Sequence, residues 1–350
     1  MGIKSLLIEI ALKRKGEIGV KLGIGKEAKG KIKELWKEKL PQPSTPEKVK
    51  AVDGSRNRKD YAGYVIYAVG ACSLLFKGGV LSDESYTAYL DLLKPEEYSD
   101  SRLRNLMGIV ETKEVLKDID EVNALLIDGS IIGNAVRPIV FEQKIEERMK
   151  NWSLKAFAGI KEELLKEIVG SSLLYREVEK HFPGDSYPLV AGYLEYLEYL
   201  YTIYTLLERG RGKIISVSKH SNSRNYELDR VLPDIAVLNE ANLPPGYTEP
   251  KEIPLGEKKF SFPGEFEELL PEKKFKVFYF KLSSSKGVYK CETDMEVEEA
   301  LKILRFYEIM GYPYPLMEAH RRVKITKKDI EEIIGLLAFK GTTGREALNE

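Results

Sequence analysis

At 350 residues the chain is long enough to bury a substantial core, as one large domain or two smaller ones. Basic and acidic residues stand at 55 each, so the formal net charge is zero. A generic polyanion binder is thereby excluded, and any nucleic-acid contact must come from a local basic patch. No run is long or apolar enough to span a bilayer, and the apolar start is followed by Lys13, Arg14 and Lys15 rather than preceded by charge. That order is the reverse of a secretory signal and predicts a cytoplasmic protein with no membrane partner. Lysine and glutamate abound while glutamine is confined to Gln42 and Gln143, a leaning toward heat-adapted composition. Cys72 and Cys291 have no metal-ligand spacing and fit buried free thiols, with their disulfide state left open.

In chain order, residues 1–46 read as an N-terminal helical segment, two helices parted around Gly19 to Gly25, closed by a stiff Pro-rich linker. The main domain is placed at 47–340, with a short tail at 341–350. Val49, Ala51 and Val52 lead into Asp53-Gly54-Ser55, which the pattern reads as the end of a first strand. A second strand follows over Tyr61 to Phe76 and a third within Gly78 to Leu93, making an antiparallel meander. Ser99 to Leu116 is helical, and Asn123 to Ile127 is a short strand buried on both faces that ends in a second Asp-Gly-Ser. Residues 139–180 and Leu189 to Arg209 are helical, and Ile214 to Val217 is a buried strand leading to Lys219. Residues 240–273 are rich in proline and charge, hold no clear period, and are expected to be an irregular excursion. A hairpin over Phe275 to Glu292, a helix over Glu296 to Met310 and a terminal helix from Ile330 complete the chain.

Three antiparallel strands followed by alternating helices and parallel strands are the order of a ribonuclease H-like α/β core. In that order the first strand, first helix and fourth strand bring acidic side chains to one sheet edge: here Asp53, a glutamate of the 99–116 helix, and Asp128. Such a set repels itself unless cations sit among it, and two hard divalent cations that activate water and stabilise a leaving oxygen need carboxylate oxygens. Each Asp-Gly alone reads more readily as a turn. An ATPase is disfavoured because no G-x-x-x-x-G-K-[ST] loop occurs.

Taken together, VDGSRN at 52–57, the glutamate helix, LLIDGS at 125–130, ISVSK at 215–219 and GYPYPLMEAH at 311–320 resemble the NurA nuclease family. The resemblance implies a manganese-dependent DNA nuclease, with magnesium as the alternative ion and two ions per site. It implies single-strand endonuclease and 5′ to 3′ exonuclease action on single- and double-stranded DNA ends. It further implies a homodimer working with the hexameric ATPase HerA in resecting double-strand breaks. A junction-resolving endonuclease and a non-catalytic docking module of the motor are the alternatives.

Carried over by position, the family carboxylates fall on Asp53, Glu111 and Asp128. Helical periodicity from Leu103, Met107 and Val110 puts Glu114 nearer the inward stripe, so Glu114 stays open beside Glu111. The resemblance also marks Tyr312 and His320, the latter as a metal ligand or as a partner of the leaving oxygen. Lys219 is assigned to hold the scissile phosphate or to offset the acidic cluster. Arg56, Arg58 and Lys59, with Arg321, Arg322 and Lys324, are the candidate basic rim for the DNA backbone. The tyrosines of Leu189 to Arg209 recur at helical spacing and are read as packing or a dimer face.

Overall fold

β-Branched and aromatic residues recur along Lys48 to Leu93 and suit a pleated surface. In the computed structural model, which describes residues 2–21, 25–257, 261–284 and 287–337, this run forms three antiparallel strands. They are β1 (Lys48–Tyr61), β2 (Tyr64–Lys77) and β3 (Val80–Leu93). The first strand does not stop at Asp53-Gly54-Ser55, as the pattern predicted. It pairs with β2 over its whole length, from Lys48 opposite Lys77 to Tyr61 opposite Tyr64, and the chain turns at Ala62-Gly63 instead. The apolar β2 is buried almost throughout, and its backbone groups require a partner along that length. The polar residues of β1 after Gly54 hid this from the pattern.

After helix α3 (Ser99–Leu116) come β4 (Ala124–Asp128) and β5 (Ile214–Ser218), which run parallel to β1 and to each other. Strands β6 (Lys274–Lys281) and β7 (Tyr289–Thr293) are antiparallel, with β7 beside β5. The resulting mixed sheet has the order β3-β2-β1-β4-β5-β7-β6 and continues through the short strands Gly246–Thr248 and Trp36–Lys37.

Two expectations about boundaries change here. Residues 240–273 are not an irregular excursion: Gly246–Thr248 and Lys251–Pro254 both pair with β6, and Phe266–Leu269 is a short helix. Strands of three or four residues are too brief to show a period. Nor is 1–46 set apart from the main domain, because Trp36–Lys37 closes one sheet edge. Helices α1 (Ile3–Lys21) and α2 (Lys26–Leu35) flank the expected break. Ala28 and Ile32 of α2 pack with Trp36, Tyr226, Ile235 and Leu238. The 341–350 tail lies outside the described residues.

Alternation along the strands sends side chains to two helical layers. Leu125 and Ile127 of β4 join the core built on α3, α5 (Glu147–Ile160) and α7 (Ser186–Arg209), reached through α4 (Ile131–Ala135) and α6 (Tyr175–His181). Ala124 and Leu126 face the other way, with Val49, Ala51, Ile215 and Val217. That second layer comprises α9 (Val297–Phe306) and α10 (Tyr314–Val323), after α8 (Asp234–Glu240) in the chain. The tyrosines of α7 are largely packing: Tyr193, Tyr196 and Tyr199 are buried, and Tyr199 presses on Gly108 of α3, where an added Cβ would come within 2.4 Å of its ring. Both cysteines are buried free thiols. Among the described residues, no helix is long and apolar enough to cross a membrane.

Candidate metal centre

Period two already places the site. Val49 and Ala51 of β1 point to the α10 layer, so Asp53 does too; Ala124 and Leu126 of β4 carry Asp128 to the same side. The last β1–β4 pair is Val52 with Ile127, so each aspartate is the next residue along, at the point where β4 ends and β1 loses that neighbour. Lys219 follows Ile215 and Val217 of β5 on the same alternation, and α10 lays His320 over this edge.

Asp53, Asp128 and His320 each offer a ligand atom, and the three atoms lie within 4.8 Å of one another. His320 Nδ1 is 2.7 Å from Asp53 Oδ2, while Asp53 Oδ1 accepts from the Gly54 amide at 2.9 Å. Lys219 Nζ donates to Asp128 Oδ2 at 2.6 Å and lies 4.9 Å from the centre of the Tyr312 ring. The Tyr312 hydroxyl is buried beside the two aspartates and stops short of a well-formed hydrogen bond.

Glu111 reaches this edge from the opposite layer. It lies flat on Gly54, where a Cβ would sit 2.9 Å from Glu111 Oε2. Gly54 is therefore a close-approach glycine, not a turn residue. Burial, then the charges of Asp53 and Asp128, push Glu111 well above the usual carboxylate range, with Arg137 opposing. Burial and Asp128 likewise raise Asp53, against the pull of His320. With Lys219 already on Asp128, the two raised acids, Asp53 and Glu111, are left short of positive charge.

Glu114, one turn on, is in a different situation. Its carboxylate accepts from Ser73 at 2.8 Å, Thr87 at 2.5 Å and Lys117 at 2.7 Å. Burial alone would raise it, but those donors hold it below its ordinary value. Lys50 of β1 donates to the backbone carbonyls of Glu114, at 2.9 Å, and Lys117, satisfying the open end of α3. These contacts lock α3 to the sheet and leave Glu114 outside the cluster.

The structure does not gather the whole basic rim. Arg58 pairs with Asp60 and Asp100, each at 3.0 Å. Arg321 and Arg322 both pair with Glu318, at 2.6 and 2.8 Å, and Arg322 also reaches Glu84. Lys59 lies 3.8 Å from Glu331. Among the described residues Arg56 has no carboxylate contact, its guanidinium donating to the Asp100 carbonyl at 3.3 Å. Arg137 was not signalled by the sequence: it follows α4 without a motif, stacks 5.5 Å from the centre of the Tyr199 ring and leaves Nη1 buried without a partner.

A divalent cation fits the donor set. Carboxylate oxygens and an imidazole converge, and the opposing charges of His320 on Asp53 and of Arg137 on Glu111 leave both acids raised.

Comparison with known proteins agrees in its reach along the chain. Residues 47–325 match the NurA domain family. A protein of Sulfurisphaera tokodaii named DNA double-strand break repair nuclease NurA is 28% identical over 95% of each chain. One of Methanocaldococcus jannaschii, named as a probable nuclease of that kind, is 27% identical over 85% of this chain and 80% of its own. The crystal structure of the NurA nuclease from Sulfolobus solfataricus superposes with a TM-score of 0.74 at 22% identity, covering 96% of this chain and 97% of its own. A NurA structure bound to dAMP and manganese gives 0.66 at 20% identity, with 97% and 96% covered. These superpositions establish a shared mixed α/β fold.

Proposed function

The chain belongs to the NurA domain family, and from that premise we propose that the Asp53–Asp128–His320 cluster is the metal centre of a DNA nuclease of double-strand-break repair. The enzyme is a metal-dependent deoxyribonuclease, a phosphodiester hydrolase. The observation that carries the site assignment is the convergence of two aspartates and a histidine at the point where β4 ends. The strand order β3-β2-β1-β4-β5, with only β2 running against its neighbours, supports a ribonuclease H-like core.

Asp53, Asp128 and His320 would hold a manganese or magnesium ion, and Glu111, packed against Gly54, would supply a further carboxylate for a second ion. Such ions supply a nucleophilic water at neutral pH and offset charge on the phosphoryl oxygens. Lys219, with its side chain 36% exposed, is placed to hold the scissile phosphate as a compact point charge. His320 keeps its second ring nitrogen free of Asp53, a position from which it can hand a proton to the leaving oxygen. The Tyr312 hydroxyl, short of a partner, orients a phosphate oxygen. Arg56 guides the backbone, while Arg58, Arg321 and Arg322 contribute only where DNA displaces their carboxylate partners.

The finer reading is single-strand endonuclease and 5′ to 3′ exonuclease action, as a homodimer, with a HerA-type hexameric ATPase. Exposed Leu6, Leu7 and Ile10 on α1 support a protein contact there. End-labelled single strands and duplex ends incubated with Mn²⁺ test the core claim. Cleavage is expected, and it should vanish with EDTA and in a folded Asp53→Ala variant; full cleavage by that variant overturns the assignment. Gel filtration reads the dimer, and co-elution with the ATPase reads the partner.

A further inference from the structure

The turn that presents Asp128 is held by a buried ion pair two strands away. Asp128 ends β4, and Gly129 follows with φ +105, a conformation open to glycine and to few other residues. Such a turn has several accessible shapes, yet nearly every polar backbone group around it is engaged. The Gly129 amide donates to the Val217 carbonyl at 2.9 Å. Ser216 Oγ donates to the Gly129 carbonyl at 2.5 Å and accepts from the Ile131 amide at 3.0 Å. Glu292 Oε2 accepts from the Ile132 amide at 2.9 Å, and its Oε1 accepts from Ser130 Oγ at 2.7 Å. Ser130 Oγ in turn accepts from the Gly133 amide at 2.8 Å.

Glu292 and Ser216 are cross-strand neighbours on β7 and β5, so one rung of the sheet grips both sides of the turn. Glu292 is 0% exposed and Lys290, two residues earlier on the same face, is 2% exposed, with Nζ 2.6 Å from Glu292 Oε1. An ion pair at this depth is no economical way to stabilise a sheet, since apolar side chains of similar volume do as well or better. What it does that they cannot is accept hydrogen bonds from the Asp128 turn with a fixed anion.

We propose that Glu292, with Lys290 as its counter-ion, is a positioning residue for Asp128. It fixes the turn so that the Asp128 carboxylate stays within ligand distance of Asp53 and His320. This rests on the reading of that cluster as a metal centre. Groups that orient ligands without touching the ion change its affinity by about 10- to 100-fold when removed.

The test compares Mn²⁺ affinity, by titration calorimetry, in wild type, Glu292→Gln and Glu195→Gln, each with its melting temperature. Glu195 is equally buried and ion-paired, with Arg102, but touches none of the residues of the turn. Both variants should melt lower. Glu292→Gln alone should bind Mn²⁺ about 10- to 100-fold more weakly, while its affinity for a labelled single-stranded oligonucleotide without metal stays unchanged. Equal Mn²⁺ affinity in wild type and Glu292→Gln overturns the proposal and reduces Glu292 to a stabilising residue like Glu195. Should Glu292→Gln not fold, Ser130→Ala, which removes the bond to Glu292 and the one from the Gly133 amide, is expected to weaken Mn²⁺ binding severalfold, and unchanged affinity there counts against the proposal equally. A wild type that binds no Mn²⁺ overturns the metal-centre reading, and this assignment with it.

Discussion

Glu111 and Glu114 sit one turn apart on the same helix and are treated in opposite ways. Glu114 is surrounded by Ser73, Thr87 and Lys117, and its carboxylate is held low. Glu111 faces Asp53 and Asp128 and is pushed high. The pattern extends beyond α3. Glu195 takes hydrogen bonds from Arg102 and Tyr175, Glu198 from Lys113 and two backbone amides, and Glu292 from Lys290, Ser130 and Ile132. Those buried acids are compensated within the fold. At the β1–β4 edge Lys219 meets Asp128, but Asp53 and Glu111 are compensated poorly, and that deficit, rather than acidity or burial, marks the functional group.

The contrast breaks most visibly at Asp53. Asp53→Asn should lower Mn²⁺-dependent cleavage by roughly a thousandfold or more, read on an end-labelled strand. Its metal-free melting temperature should hold or rise, because the change removes a buried charge from a repulsive set. A large loss of stability would put Asp53 in the same class as Glu114.

Glu114→Gln should do the reverse. It removes charge-assisted hydrogen bonds and should destabilise the fold by about 2 kcal/mol in urea denaturation. Cleavage per folded molecule should stay near wild type. A variant that is stable but inactive would instead make Glu114 the ligand.

The pH dependence sharpens the same point. Asp53 and Glu111 have folded values above their ordinary 3.8 and 4.5. The folded state therefore holds protons that the unfolded chain has released, and stability falls as pH rises. Metal-free stability contributed by this pair is fully present below about pH 4 and is lost as pH climbs through the raised values. Wild type should lose stability from pH 4 toward 7 relative to Asp53→Asn/Glu111→Gln, and Mn²⁺ at neutral pH should restore it. A flat difference between the two proteins would contradict the raised values.

The smallest effect is expected at Arg321. Its charge is already met by Glu318, so Arg321→Ala should change DNA affinity little. Arg56→Ala, lacking such a partner, should weaken it more and flatten its salt dependence.

Much of this was legible in the sequence because it rests on order and period. The succession of three strands, helix and strand led to Asp53, Asp128 and the glutamate helix, and the same order put the strand that leads to Lys219 beside that of Asp128. The role of Gly54 was legible in part: a glycine beside the aspartate lets other atoms come close, but the same tripeptide read as the end of the strand, and only the packing shows that the group brought close is the Glu111 carboxylate. The choice between Glu111 and Glu114 was equally closed to periodicity, since both lie near the inward stripe and what separates them is the set of donors on β2 and β3. Arg137 and the Lys290–Glu292 pair carry no motif, because they act through contacts from distant parts of the chain. The short strands of 240–273 were missed for want of length.

The measurement that bears most directly on the metal centre is the anomalous scattering of crystals soaked in Mn²⁺. The account predicts density bounded by Asp53, Asp128 and His320, on the α10 side of the sheet. Density at Glu114 or elsewhere, with those three side chains bare, would contradict it.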